Sequence, residues 1–299
     1  MIERLEGTLR GYQDVELYYQ LWRPGEDENI GSSRGHSPSA ATIVVTHGIA
    51  EHSDCYERFA EAVTKQGYTV FAWDLRGHGH SDGKRGYVNR FEDFSDDLEA
   101  VTRFVKSEFW DKNTPLFLFG HSMGGLITLK LLLDHSPSDF YGLILSSPAL
   151  GLSLEVPKVK ELAAHWLSEW LPKVTLYNEI KFDDLVRDQN LVRQYRADPL
   201  RHNRISPRLF LGLMQTMEEV KRDAGKIQMP TLMQLAGREK LVSTSVSEAF
   251  FENLGAKKKE LYIYADSFHE IYNDLDRDDV FRDLFRFLEK SAREFKNGA

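Results

Sequence analysis

Apolar positions along this chain fall into two alternating rhythms. Short unbroken apolar runs occupy Thr42–Thr46, Thr69–Trp73, the stretch opening at Leu116, and Gly142–Ser146. Between them the spacing turns helical. Phe59, Ala62 and Val63 mark a helix over 55–66, stopped by Gly67; Phe94, Leu98, Val101, Val105 and Phe109 share one face over 93–109; Leu126, Leu129 and Leu131 to Leu133 follow Ser122. Short apolar strands alternating with helices predict an α/β fold, a mostly parallel sheet flanked by helices on both faces. Two aromatic and branched runs within 8–22 surround Gly11 to Asp14 and predict a β-hairpin. The rhythm breaks at Pro148. Residues 150–225 carry helical stripes without strands, one through Leu162, Trp166 and Trp170, another through Phe210, Leu213, Met214 and Met217. The alternation resumes with a strand over Thr231–Ala236, a helix over 245–254, a strand over 260–265 and an amphipathic helix over 279–295. The expected organisation is a core of residues 1–149 and 226–299 with an inserted helical cap, or lid, over 150–225.

Composition narrows the function. The 299 residues include 38 Lys plus Arg against 46 Asp plus Glu, a formal net charge of −8. An acidic chain lacks the cationic balance that sequence-independent nucleic-acid binding requires, so no nucleic-acid partner is expected. One cysteine, Cys55, excludes an intramolecular disulfide and points to a reducing compartment. The first residues have no apolar signal core, and no run approaches membrane-spanning length. The expected location is cytoplasmic, with peripheral contact with membranes left open. Residues 24–40, rich in Gly, Ser, Pro and charge, read as a long exposed loop. There is no internal repeat.

The chemistry gathers at predicted strand ends, where sites in parallel sheets lie. Gly120-His121-Ser122-Met123-Gly124 ends a strand and opens a helix. A serine on such a strained turn presents its hydroxyl above the sheet, and the next N–H, on Met123, faces a developing oxyanion. A nucleophilic serine needs a base. Of ten histidines, His269 follows the last strand, and the chain order serine, acid, histidine favours it. Two carboxylates compete to orient that histidine. Glu239 lies just past Thr231–Ala236; Asp266 lies three residues before His269. Strand-end position and chain order favour Glu239, leaving Asp266 to shape the loop. A second oxyanion donor is expected at Ile49, in His47-Gly48-Ile49, with the His47 ring tying that loop together. Other features take plainer readings: His78 and His80 in a tight glycine loop without a third metal ligand, Asp74 and Arg76 satisfying backbone groups, Cys55 as a passive small residue with no histidine partner implied, Lys257 to Lys259 as a solvated helix end. The Trp166/Trp170 stripe reads as packing, with lining of an acyl channel as the alternative.

These stretches resemble the monoacylglycerol lipase and lysophospholipase-like group of the α/β-hydrolase superfamily, in its bacterial form. The likeness spans about 7–288. It is carried by His47-Gly48-Ile49-Ala50-Glu51-His52-Ser53, by 74–83, by 120–125, by Tyr195-Arg196-Ala197-Asp198-Pro199-Leu200 and by 264–270. The resemblance implies Ser122 as nucleophile, His269 as base, and Ile49 and Met123 as oxyanion donors. The group normally has an aspartate where this chain has Glu239, so the loop must absorb an extra methylene. Glu51 matches a residue that helps hold the glycerol head. The arginine that mammalian members carry four positions later is Cys55 here, which points towards a broader esterase. The implied activity is hydrolysis of single-chain lipid esters (monoacylglycerol or lysophospholipid) through an acyl-enzyme, with no cofactor or metal. Alternatives are a short-chain carboxylesterase or an acyltransferase on the same fold; a non-enzymatic binding protein is disfavoured. The expected partner is a small lipid ester, with transient membrane-surface contact through the cap. The sequence leaves the oligomeric state open.

Overall fold

A computed structural model of the chain describes residues 1–25, 39–135, 139–153 and 157–298. The hairpin consists of β1 (Ile2–Arg10) and β2 (Glu16–Pro24), paired antiparallel from Ile2↔Pro24 to Arg10↔Glu16. It begins six residues earlier than the apolar runs suggested, because β1 is a half-exposed edge strand with few apolar residues to mark it. Most of the predicted loop over 24–40 lies outside the described residues. The apolar runs become β3 (Thr42–Thr46), β4 (Thr69–Trp73), β5 (Leu116–His121) and β6 (Gly142–Ser146), every residue buried. Between them run α1 (Glu57–Lys65), α2 (Glu92–Glu108) and α3 (Met123–His135). A single 3-10 turn over Ser53–Tyr56 replaces the expected start of α1.

The described residues of 147–230 leave the sheet. They form α4 (Lys158–Trp170), α5 (Gln189–Ala197) and α6 (Pro207–Arg222). The stretch expected to lack strands does contain a two-residue antiparallel pair, β7 (Leu176–Tyr177) with β8 (Arg204–Ile205). Pieces so short carry no periodicity. Ser206 caps α6 by accepting the Leu209 N–H, and Pro207 opens its first turn. The sheet then gains β9 (Thr231–Ala236) and β10 (Lys259–Tyr264), with α7 (Thr244–Asn253) between them and α8 (Arg277–Gly298) last. Lys259 is not a solvated helix end: its ammonium caps the carbonyls of Phe251, Glu252 and Leu254 at the end of α7.

The eight-stranded sheet has the order β1-β2-β4-β3-β5-β6-β9-β10; β1 and β2 are antiparallel and the other neighbours parallel. Period-two alternation sends successive side chains to opposite layers. Val44, Leu116 and Leu118 pack with α2, α3, α6 and α7; Ile43, Val45, Phe117 and Phe119 pack with α1 and α8. The segment 147–230 is joined to the first layer through Leu209, Leu213, Met217 and Val220 of α6. The Leu162, Trp166 and Trp170 stripe of α4 neither packs nor lines a channel. It faces solvent, at 73%, 60% and 69% exposure.

Candidate active site

The carboxyl ends of β3, β5 and β9 converge on one cavity of about 620 Å³. At the end of β5 the chain turns into α3 through Ser122, whose φ of +52° lies in the left-handed region that a serine occupies only under strain. Gly124 permits the turn. A Cβ there would stand 2.1 Å from the Thr46 carbonyl and 2.4 Å from that of His47, so only glycine allows α3 to start against the end of β3. Met123 is the first residue of α3. Among the described residues its N–H and that of Ile49 have no protein acceptor, and both residues line the cavity beside Ser122.

The loop after β3 is held from several sides. His47 sits with Nδ1 2.7 Å from the Gly48 carbonyl, while its Nε2 accepts the Leu75 N–H at 3.0 Å. Burial keeps this ring neutral, its pKa lowered to about 3, which is the form that donates through one nitrogen and accepts through the other. Glu51 Oε2 accepts the Gly48 N–H at 2.7 Å and the Tyr56 hydroxyl at 2.9 Å. The neighbouring 74–83 loop is fixed by Asp74, which accepts from the N–H groups of Ser53 and His80.

His269 follows β10 in a loop, and its Nδ1 lies 2.7 Å from Glu239 Oε2. The other carboxylate oxygen of Glu239 accepts the N–H groups of Lys240 and Leu241, both at 2.9 Å. The loop after β9 thus wraps the longer side chain and aims it at the imidazole. Asp266 is exposed and makes no such contact. Burial pulls the His269 pKa down, but the charge of Glu239 and the hydrogen bond to it outweigh burial and leave it raised. Burial likewise raises Glu239, and the imidazole's charge and hydrogen bond reverse that to a net lowering. An imidazole that faces a carboxylate through Nδ1 carries its ring proton there, which leaves Nε2 free to accept one.

Several buried polar residues at this site escaped the sequence reading. Glu270, next to His269, accepts the Tyr195 hydroxyl and takes Arg201 Nη1 at 3.2 Å. Arg201 Nη2 lies 3.9 Å from Glu51 Oε1. Arg201 directly follows the 195–200 stretch that carried part of the resemblance, and that adjacency was the available signal. Cys55 is also less isolated than expected. Its sulfur, a His52 ring nitrogen and an Asp198 carboxylate oxygen lie within 4.8 Å of one another. That donor set suits a borderline metal in type, but His52 Nε2 is already hydrogen-bonded to Asp198 at 2.8 Å. The pair instead ties the 52–55 turn to the segment after α5.

Comparison with known proteins bears on the fold and the family. Residues 37–276 match the model of the family described as serine aminopeptidase, S33. Phospholipase YtpA of Bacillus subtilis is 30% identical over 252 residues, covering 84% of this chain and 95% of that protein. The monoglyceride lipase of Rattus norvegicus is 31% identical over 261 residues, 87% of this chain and 81% of its own. The crystal structure of the Paleococcus ferrophilus monoacylglycerol lipase superposes with a TM-score of 0.78 at 26% identity, covering 97% of this chain and 99% of that one. The chain therefore has the α/β-hydrolase fold and belongs to the serine hydrolase family described as serine aminopeptidase, S33.

Proposed function

We propose that the protein hydrolyses carboxylic esters of single-chain lipids, monoacylglycerols or lysophospholipids, with Ser122, His269 and Glu239 as the catalytic set. The observation that carries this reading is the convergence, at one apolar-walled cavity, of a strained serine, a buried imidazole–carboxylate pair and two backbone N–H groups with no acceptor among the described residues. Ser122 Oγ attacks the ester carbonyl while His269 Nε2 takes its proton. The Ile49 and Met123 N–H groups stabilise the tetrahedral oxyanion, each donor contributing about 3 kcal/mol. His269 then protonates the leaving alcohol, and later removes a proton from the water that releases the acid. Glu239 holds the ring in the productive tautomer and stabilises the imidazolium. Residues 150–225 act as the cap: Ala163, Ala164 and Leu167 of α4 and Phe210, Leu213 and Met217 of α6 wall the acyl side of the cavity, the apolar enclosure that a single chain requires. The exposed face of α4 is the surface through which the cap touches lipid.

The test is hydrolysis of monoacylglycerol, lysophosphatidylcholine and short p-nitrophenyl esters by the wild type and Ser122→Ala, with fluorophosphonate labelling of Ser122. Lipid-ester turnover lost in Ser122→Ala supports the reading. Turnover of short esters alone assigns a general carboxylesterase, and absence of labelling removes Ser122 as nucleophile.

A further inference from the structure

Glu51 and Glu270 are both buried and come from different loops: Glu51 accepts the Gly48 N–H, and Glu270 directly follows His269 in the chain. One cation stands between them. The Arg201 side chain is 2% exposed, with Nη1 on Glu270 Oε1 at 3.2 Å and Nη2 facing Glu51 Oε1 at 3.9 Å. Its guanidinium stacks 3.7 Å from the Tyr195 ring centroid, and Tyr195 donates its hydroxyl to the same Glu270. Arg201 comes from the segment after α5, whereas the two carboxylates come from the loops after β3 and β10. Its Nε and Nη2 have no hydrogen-bond partner among the described residues. A guanidinium so poorly paired is costly to bury, and its placement between two carboxylates accounts for its presence.

We propose that Arg201 is a positioning residue: by bridging Glu51 and Glu270 it fixes the Gly48–Ile49 donor loop relative to His269, so the oxyanion donors are aligned only when the 189–201 segment is docked. This rests on the hydrolase reading above. Glu51 is the working link, because the oxygen it does not turn to Arg201 holds the Gly48 N–H, one residue before the proposed donor Ile49. The groups facing the two carboxylates are Arg201, Tyr56, Tyr195, His121 and His269, with Cys55 nearby. Burial, then Glu270, pushes the Glu51 carboxyl above its ordinary range, and Arg201 opposes the rise. Burial pushes Glu270 up as well, but Arg201 and Tyr195 reverse it to a net lowering. Without the cation, two buried carboxylates face each other and the pair keeps a shared proton to a pH above the value of about 7 that Glu51 has beside Arg201. Above that ionisation the two repel, and the donor loop shifts.

The experiment is the pH profile of kcat and KM on a monoacylglycerol for the wild type, Arg201→Met, Arg201→Lys and Arg201→Met/Glu51→Gln. Arg201→Met is expected to lose about 10- to 100-fold in kcat with a smaller change in KM, and to gain a falling limb above neutral pH that the wild type lacks. Arg201→Lys, which keeps the charge, is expected to keep the wild-type profile shape. The double variant is expected to lose the new limb, since the glutamine still accepts the Gly48 N–H without the charge. A wild-type profile shape in Arg201→Met, a change confined to KM, or a new limb in the lysine variant overturns the proposal. If Arg201→Met does not fold, the lysine and double variants decide by the same criteria. Absence of any Ser122-dependent turnover in the wild type would instead refute the hydrolase reading itself.

Discussion

At the scale of single residues, the side chain at 239 sets the quality of the base proposed at His269. Glu239 divides its carboxylate between His269 on one oxygen and backbone N–H groups of its own loop on the other. An aspartate reaches about 1.5 Å less far and cannot serve both. Glu239→Asp is therefore expected to lower kcat by about 10- to 100-fold, read by steady-state hydrolysis of a p-nitrophenyl ester. Glu239→Gln places an amide where the carboxylate stabilised the imidazolium, and a loss of about 10⁴-fold is expected. The pH dependence has a definite sign. His269 must be neutral to act, and its pKa is raised above the ordinary 6.5, so kcat/KM rises with pH through that raised value. Glu239→Gln removes the largest upward cause and moves the limb to lower pH. Stability runs the other way. The raised histidine contributes fully below 6.5 and loses its contribution as pH rises through its folded value; the lowered Glu239 contributes above 4.5 and loses its contribution as pH falls through its folded value. The pair is thus most stabilising between those two values, below the pH at which activity develops. The difference in Tm between wild type and Glu239→Gln across pH checks this. The proposed chemistry was legible at Ser122 and His269 because a turn pentapeptide and chain order are local signals. Arg201 was not, since it meets Glu51 and Glu270 only after the chain folds.

At the scale of elements, the site depends on how closely α3 and the β3 loop approach. Gly124→Ala would set a methyl group 2.1 Å from the Thr46 carbonyl; separating the two elements is expected to cost about 1–3 kcal/mol and to abolish fluorophosphonate labelling of Ser122, measured with denaturant unfolding alongside. A second clamp joins α2 to the 74–83 loop and the β1–β2 turn. Asp97 accepts Arg76 through both oxygens, at 2.5 and 2.7 Å, and the Tyr12 N–H at 2.8 Å. Asp97→Ala removes two charge-assisted hydrogen bonds and leaves the Arg76 guanidinium with Asp93 at 3.7 Å and the Tyr12 carbonyl at 3.0 Å; a loss of about 1–3 kcal/mol is expected, read from the urea midpoint at unchanged m. The central strands were legible to the residue because burial on both faces makes each an unbroken apolar run, as in Thr42–Thr46 and Thr231–Ala236. The edge strand β1 and the β7–β8 pair were not. One is half-solvated, and the other is two residues long, so neither leaves a periodic trace.

At the scale of the whole molecule, α4 presents apolar surface on two sides. Ala163, Ala164 and Leu167 face the cavity, while Val159, Leu162, Trp166 and Trp170 stand outside at 60% to 80% exposure. Periodicity in the sequence identified the second stripe but could not say which side of the helix the cavity would take. Exposed tryptophans and leucines gathered on one helix face are costly in water and mark an interaction surface. Among the described residues no helix is long and apolar enough to cross a membrane, so the surface suits lying against lipid rather than spanning it. Under the proposed function, the acyl-binding wall and the lipid-facing side belong to one helix, and a single-chain ester leaving a bilayer would pass from one to the other. Trp166→Ser/Trp170→Ser is expected to weaken sedimentation with phosphatidylcholine vesicles by about 10-fold or more, each buried side chain of this size being worth about 1.5–3 kcal/mol. It should lower turnover of vesicle-borne monoacylglycerol by a similar factor while leaving a soluble short-chain p-nitrophenyl ester cleaved at the wild-type rate. Equal vesicle binding by the two proteins would reject the surface. Equal losses on the soluble and vesicle-borne esters would instead make the two tryptophans a support for the cavity.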